Sequence, residues 1–279
     1  MAGLSHTGTV HLTKHHGLGN DFLVTFVDDV PTNAADLAVD LCNRSTGVGA
    51  DGLIFGIDRG STVTMALFNS DGSTAEISGN GARCFAQAIA MRRGVQSLEV
   101  DLDTPAGVRQ CTLDPTNDPL VSQASIDMGP VDTGDIPNDA DFLGSIDGLP
   151  DVEQWAVGAV GNPHVVLHTA DPANVDLAHV GPQIETHFPN DVNAHMVKVV
   201  GDDELSLFVW ERGAGITQAC GSGATVTAQR FHDWGLVTSP VTVQMPGGAA
   251  VVDVMTKERP TAILTGPATF VGSVEVPHG

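Results

Sequence analysis

The stretch Cys220-Gly221-Ser222-Gly223-Ala224 sets a thiol ahead of a run of small residues, and Ser78-Gly79-Asn80-Gly81-Ala82 repeats the pattern with a hydroxyl at its head. A helix that starts in such a turn exposes N–H groups that no intrahelical carbonyl can satisfy, and its macrodipole adds positive potential. A thiol at that position is expected to ionise more readily than a free cysteine. The same N–H groups make a nest for a carboxylate. One element thus offers a proton acceptor and an anchor for an amino-acid carboxylate. The plainer reading of the same residues is an inert cysteine buried where a helix meets a sheet.

From Ser78 to Cys220 is 142 residues, and that spacing recurs: Gly19-Asn20 maps to Gly161-Asn162, Asp51 to Asn193, and Asn69 to Glu211. Four registers at one offset describe two related halves. If the halves face each other, Ser78 and Cys220 approach one point from opposite sides, as inversion at a carbon requires. Two helix N-termini aimed at one carboxylate would also stabilise charge spreading from Cα during proton abstraction. Most racemases use a pyridoxal Schiff base for that purpose. Here the three lysines (Lys14, Lys198 and Lys257) lie outside both turns and no phosphate cup is evident, so chemistry without a cofactor is expected.

Around the turns stand Asn20, Asn69, Asn162, Asn193, Glu211 and Arg212, suited to a ligand with several charges. Adjacent residues on a strand point to opposite faces, so Glu211 and Arg212 reach one ligand only from a strand end or bulge. A surface charge pair is the alternative. His15 and His16 invite a metal reading, but neighbours on a strand diverge and no third ligand accompanies them; no metal is expected.

These residues need elements to hold them. Short Val-, Ile-, Leu- and Thr-rich runs bounded by Gly, Pro, Asn or Asp predict a strand-rich chain. Helices are predicted over 34–44, 79–93, 175–187 and 221–234, the second and fourth starting in the two Gly-rich turns. Each of these two reads as a helix buried in a sheet-rich half. Residues 129–151 read as a polar, turn-rich surface loop. The fold class is α+β: two similar domains related by internal duplication, with the active site in the cleft between them. The boundary is placed in DPTNDP, giving 1–118 (joined by a C-terminal strand, 267–279) and 119–266.

Composition sets the context. With 279 residues the chain suits two medium domains. Its 34 acidic and 12 basic residues give a formal charge of −22, a field that repels nucleic acid and anionic membranes. Because the acids are spread along the chain, a whole-surface adaptation, such as to high salt, is favoured over an acidic binding face. The four cysteines show no zinc spacing, no apolar run spans a membrane, and the N-terminus lacks a signal-type apolar region. A soluble cytoplasmic protein with reduced thiols is expected.

Longer motifs now identify a resemblance. KHHGLGNDF (14–22), GVGADGL (47–53), FNSDGSTAEISGNGARC (68–84), GNPH (161–164), ERGAGITQACGSGA (211–224), PGG (246–248) and TGPA (265–268) resemble the diaminopimelate epimerases, in order and over nearly the whole length. The resemblance implies interconversion of LL- and meso-2,6-diaminopimelate without a cofactor, by two bases on opposite faces of Cα. It further implies two domains, each a curled, mostly antiparallel sheet around a central helix, and a homodimer. By resemblance Cys220 is one base; Gly79, Asn80, Gly221 and Ser222 hold the reacting carboxylate. Asn20, Asn69, Asn162, Asn193, Glu211 and Arg212 grip the distal amino-acid end, and His164 lies close to the reacting centre. One position departs: where the family has its first catalytic cysteine, this chain has Ser78. Cys84 matches a common family cysteine but falls six residues into the helix and is expected in the core.

Overall fold

The computed structural model describes residues 9–132 and 141–277. Its elements run β1 (Thr9–Gly17), β2 (Asn20–Phe26), α1 (Ala34–Cys42), β3 (Gly52–Asp58), β4 (Thr62–Asn69), β5 (Thr74–Ala75), α2 (Gly79–Arg93), β6 (Leu98–Thr104), β7 (Gly107–Pro115) and β8 (Val121–Gly129). There follow α3 (Phe142–Ser145), β9 (Val152–Val160), β10 (Asn162–Thr169), α4 (Leu177–His187), β11 (Asn193–Gly201), β12 (Glu204–Glu211) and β13 (Gly215–Thr217). The chain closes with α5 (Gly221–Asp233), β14 (Val241–Met245), β15 (Gly248–Asp253) and β16 (Ala262–Pro277). Two compact units emerge, Met1–Ile126 with Thr265–Gly279 and Asp127–Leu264, so the chain changes unit inside β8 and again inside β16.

In the first unit the strand order is β1-β2-β3-β4-β6-β7-β8-β16, and β16 pairs back onto β1, closing eight strands into a barrel. Parallel pairings β2–β3 and β4–β6 interrupt the antiparallel ladders. Parallel neighbours need a crossover. Helix α1 supplies the first; β5 and α2 supply the second. The crossover helix α2 is buried from Gly79 through Ala90 and packs on β1, β2 and β7. A helix ringed by strands has little room, hence its Gly79, Gly81, Ala82, Ala86, Ala88 and Ala90. Approach is tight: a Cβ at Gly56 of β3 would stand 2.6 Å from the Phe85 ring. Gly94, at φ +67°, ends α2 and donates its N–H to the Ala90 and Met91 carbonyls.

The second unit orders its strands β9-β10-β11-β12-β14-β15-β16. Here β10–β11 and β12–β14 are the parallel pairs, crossed by α4 and by β13 with α5. Helix α5 is buried from Gly221 to Gln229 against β9, β10 and β15. A core of Val165, Leu167, Val180, Ile184, Phe188 and Met196 fixes α4 to this sheet.

The expectation of a surface loop over 129–151 needs correction where residues are described. Phe142, in α3, is fully buried, with ring centroids 4.9 Å from both Trp155 and Phe188. Polar composition hid a single aromatic anchor; residues 133–140 of that stretch lie outside the described ones. Among the described residues no helix is long and apolar enough to cross a membrane.

Candidate active site

Ser78 and Cys220 occupy the same local position, each as the N-cap of its unit's buried helix. Both have extended backbone, φ −133° and −126°. The Ser78 hydroxyl accepts from the Gly81 N–H at 3.1 Å. The Cys220 thiol sulfur accepts from the Gly223 N–H at 3.4 Å and lies 3.6 Å from the Ser222 hydroxyl. Gly79 and Gly221 each open the first helical turn, where free N–H groups belong.

Within the first unit, Asn20 donates to Asp51 at 2.7 Å and accepts from Asn80 at 3.2 Å, while Asn80 accepts from Arg83 at 2.7 Å. This chain ties the β2 edge to the start of α2. Arg83 is fully buried, and burial brings its guanidinium down to about 10, still cationic at neutral pH. Lys14 and Arg44 both pair with Asp21, and Arg44 also reaches Asp51. Asn69 ends β4 opposite Gly52 and donates to the Ser73 hydroxyl at 2.9 Å.

In the second unit His164, His195 and Glu211 gather at Cys220. Asn162 accepts from His164 Nε2 at 3.1 Å; His164 Nδ1 is then left to accept from His195 Nε2 at 2.8 Å. Both rings are fully buried. Burial lowers His195 to about 3; burial, then His195 and Arg212, holds His164 well below the usual imidazole range. Both rings are neutral. Asn193 donates to the Pro163 carbonyl at 2.9 Å and accepts from the Arg212 N–H at 3.0 Å, pinning the end of β12. Glu211 ends that strand. It accepts from the Thr217 hydroxyl and interacts with the Cys220 thiol, whereas the exposed Arg212 donates to the Asn190 carbonyl at 2.9 Å.

The expected easy ionisation of Cys220 does not hold in this structure. Its thiol is pushed well above the ordinary value, first by burial and then by the Glu211 charge. The Gly223 and Ser222 hydrogen bonds act in the opposite direction, as the helix argument requires, but are outweighed. Cys42, Cys84 and Cys111 are buried and pushed up to about 12, and no disulfide joins any of the four. Cys84 thus lies in the core, as expected.

Sequence reasoning missed His195. Its ring lies against Gly223 so closely that a Cβ there would clash with it. The available signal was period-two alternation: Asn193 and His195 share a face of an otherwise apolar strand. Thr217, which positions Glu211, was missed too.

A sequence profile of diaminopimelate epimerase matches residues 12–133 and 157–271. Diaminopimelate epimerase 1 of a Nostoc species is 36% identical over 281 residues, spanning 94% of this chain and 98% of its own. The diaminopimelate epimerase of Synechococcus elongatus is 37% identical over 286 residues, spanning 96% and 99%. Among solved structures, a hydroxyproline epimerase from Agrobacterium vitis superposes with a TM-score of 0.67 at 14% identity, covering 98% of this chain and 94% of that one. At that identity the likeness speaks to fold.

Proposed function

This chain belongs to the diaminopimelate epimerase family, and from that premise we propose that it epimerises LL-2,6-diaminopimelate to meso-2,6-diaminopimelate without a cofactor. The carrying observation is the 36–37% identity, over nearly the whole chain, to enzymes of that name, together with a cysteine that caps the buried helix α5.

The reaction needs a proton acceptor on one face of Cα and a donor on the other. Cys220 takes one role and Ser78 the other. Glu211 interacts with the thiol, which supports a role in taking its proton when thiolate is needed; a distal-end grip was the expectation from sequence. A neutral thiol, favoured by burial, is the form that donates. Gly79, Asn80, Gly221 and Ser222 are assigned to the reacting carboxylate. Asn20, Asn69, Asn162, Asn193 and Arg212 are assigned to the distal amino-acid end, with His164 near the reacting carbon.

The two units are read as copies of one duplicated domain. Supporting this, β4 and β12 start and end 142 residues apart, and β2 and β10 both open on the asparagine of a Gly-Asn pair. The parallel pairs and their crossovers also recur in the same order. A cytoplasmic homodimer completes the reading.

Ser78 favours a second reading, in which the chain binds substrate but turns over on one face only. Incubation with LL- and meso-diaminopimelate in D2O separates them. Deuterium entering Cα from both isomers supports the epimerase. One-sided exchange means that Cys220 acts alone, and binding without exchange would sink the enzymatic assignment.

A further inference from the structure

We propose that His164, His195 and Cys220 form a site for a soft divalent cation of the zinc type, and that its occupancy removes the thiol from proton transfer. The inference takes the role of Cys220 from the reading above only for this last consequence; binding itself depends on geometry alone.

The donor atoms of the three side chains lie within 4.8 Å of one another. His164 and His195 are fully buried and Cys220 is 3% exposed, so the cluster sits out of bulk water. Two imidazoles and a thiol are the ligand types zinc takes, and three protein ligands leave one open position, as in catalytic zinc sites. The three come from rigid elements: His164 and His195 from the parallel strands β10 and β11, Cys220 from the cap of α5.

The two imidazoles already face each other through His164 Nδ1 and His195 Nε2, 2.8 Å apart. His195 Nδ1 is buried and has no hydrogen-bond partner among the described residues, so the ring proton can move there without displacing a partner and leave Nε2 to bind a cation. Asn162 already fixes the His164 tautomer from behind, the outer-shell contact that metal-bound histidines ordinarily make. The Gly223 N–H and the Ser222 hydroxyl similarly support a thiolate.

The binding step balances simply. Cys220 loses its thiol proton to solvent and the sulfur bonds the cation. The His195 proton moves from Nε2 to Nδ1 and the His164–His195 hydrogen bond opens. His164 Nδ1 and His195 Nε2 then each give a lone pair, while both rings keep one N–H. No redox change is involved, and one proton leaves per cation bound. Zinc and a working thiol base are then mutually exclusive.

The test uses the full chain, dialysed against a chelator and titrated with Co2+ as a spectroscopic stand-in for Zn2+. We expect one Co2+ per chain with a thiolate-to-cobalt charge-transfer band, displacement by Zn2+, and release of one proton. The band should vanish in Cys220→Ala, and affinity should fall at least ten-fold in His195→Gln. Binding without the band, or with unchanged affinity in His195→Gln, would overturn the site. If His195→Gln does not fold, alkylation of Cys220 in the unaltered chain decides. Protection by Zn2+ supports the site, and unimpeded alkylation overturns it. None of these readouts uses substrate, so failure of the epimerase assignment would be seen separately, by Cα exchange.

Discussion

At the scale of single residues the two helix caps look alike and differ in acidity. A free thiol ionises near pH 8.5, whereas a serine hydroxyl lies far beyond any range that one Gly81 N–H can bridge. Ser78 is therefore the weak member of the proposed pair. Ser78→Cys should raise kcat for LL-to-meso conversion about ten-fold or more, since a well-matched acid–base group is worth about 10²–10⁴-fold. An unchanged kcat would mean that proton transfer at residue 78 does not limit turnover. Glu211 gives a second residue-scale prediction. Its negative charge helps to hold the Cys220 thiol neutral, so Glu211→Gln should lower that thiol's pKa and bring thiolate in at lower pH. Thiolate absorbance in the ultraviolet, titrated against a Cys220→Ala control, reads this directly; an upward move would show that burial alone governs the group. Both caps were legible because a Ser or Cys ahead of Gly-x-Gly-Ala is a local pattern. His195 was not. Its meaning depends on the parallel register of β10 and β11, which aligns His164 with Asn193 and Val166 with His195 and so leaves the two histidines two rungs apart.

At the scale of elements, all four main helices were legible to within a few residues, because capping and apolar periodicity are local. Strand β7 is hard to read from sequence for a physical reason. Of its nine residues only Cys111 and Leu113 are buried, and Arg109, Gln110 and Asp114 mask the alternation. The C-terminal β16 is a single 16-residue strand, a length only its pairing partners can reveal. The buried helices make a packing prediction. Replacing a strand glycine by alanine ordinarily gains roughly 0.5–1 kcal/mol in chain entropy. At Gly56, however, the new Cβ would meet the fully buried Phe85 at 2.6 Å and the half-buried Phe26 at 2.8 Å. Overpacking costs about 1–3 kcal/mol, so it should win and Gly56→Ala should lower the urea midpoint. Phe85→Leu in the same chain should restore part of the loss. A stabilised Gly56→Ala would show that β3 and α2 have slack between them.

At the scale of the whole molecule the dominant fact is the charge of −22. Exposed carboxylates occur in both units, among them Asp36, Asp40 and Asp103 in one and Asp171, Asp202 and Asp203 in the other. This fits a general acidic surface more than a single binding face. Two opposed effects then set the response to salt. Screening weakens the attraction of Arg44 for Asp21 and Asp51 and of Arg93 for Asp58, but most of these groups are partly exposed, where such pairs contribute about 0–1 kcal/mol each. It also weakens repulsion among all the remaining acids, which oppose the compact state together. The Debye length falls from about 8 Å at 0.15 M to about 3 Å at 1 M, shorter than typical spacings between surface charges. Repulsion should therefore dominate the balance, and Tm should climb on the order of 5 °C as NaCl is raised from ~0.05 M to ~1 M, given that about 1 kcal/mol moves a domain of this size by 2–4 °C. An uncharged osmolyte at matched osmolality separates screening from general exclusion effects, because only the salt acts on charge. If Tm stays level or falls, the carboxylates are locally compensated and the acidic composition is not stored as repulsion in the folded chain.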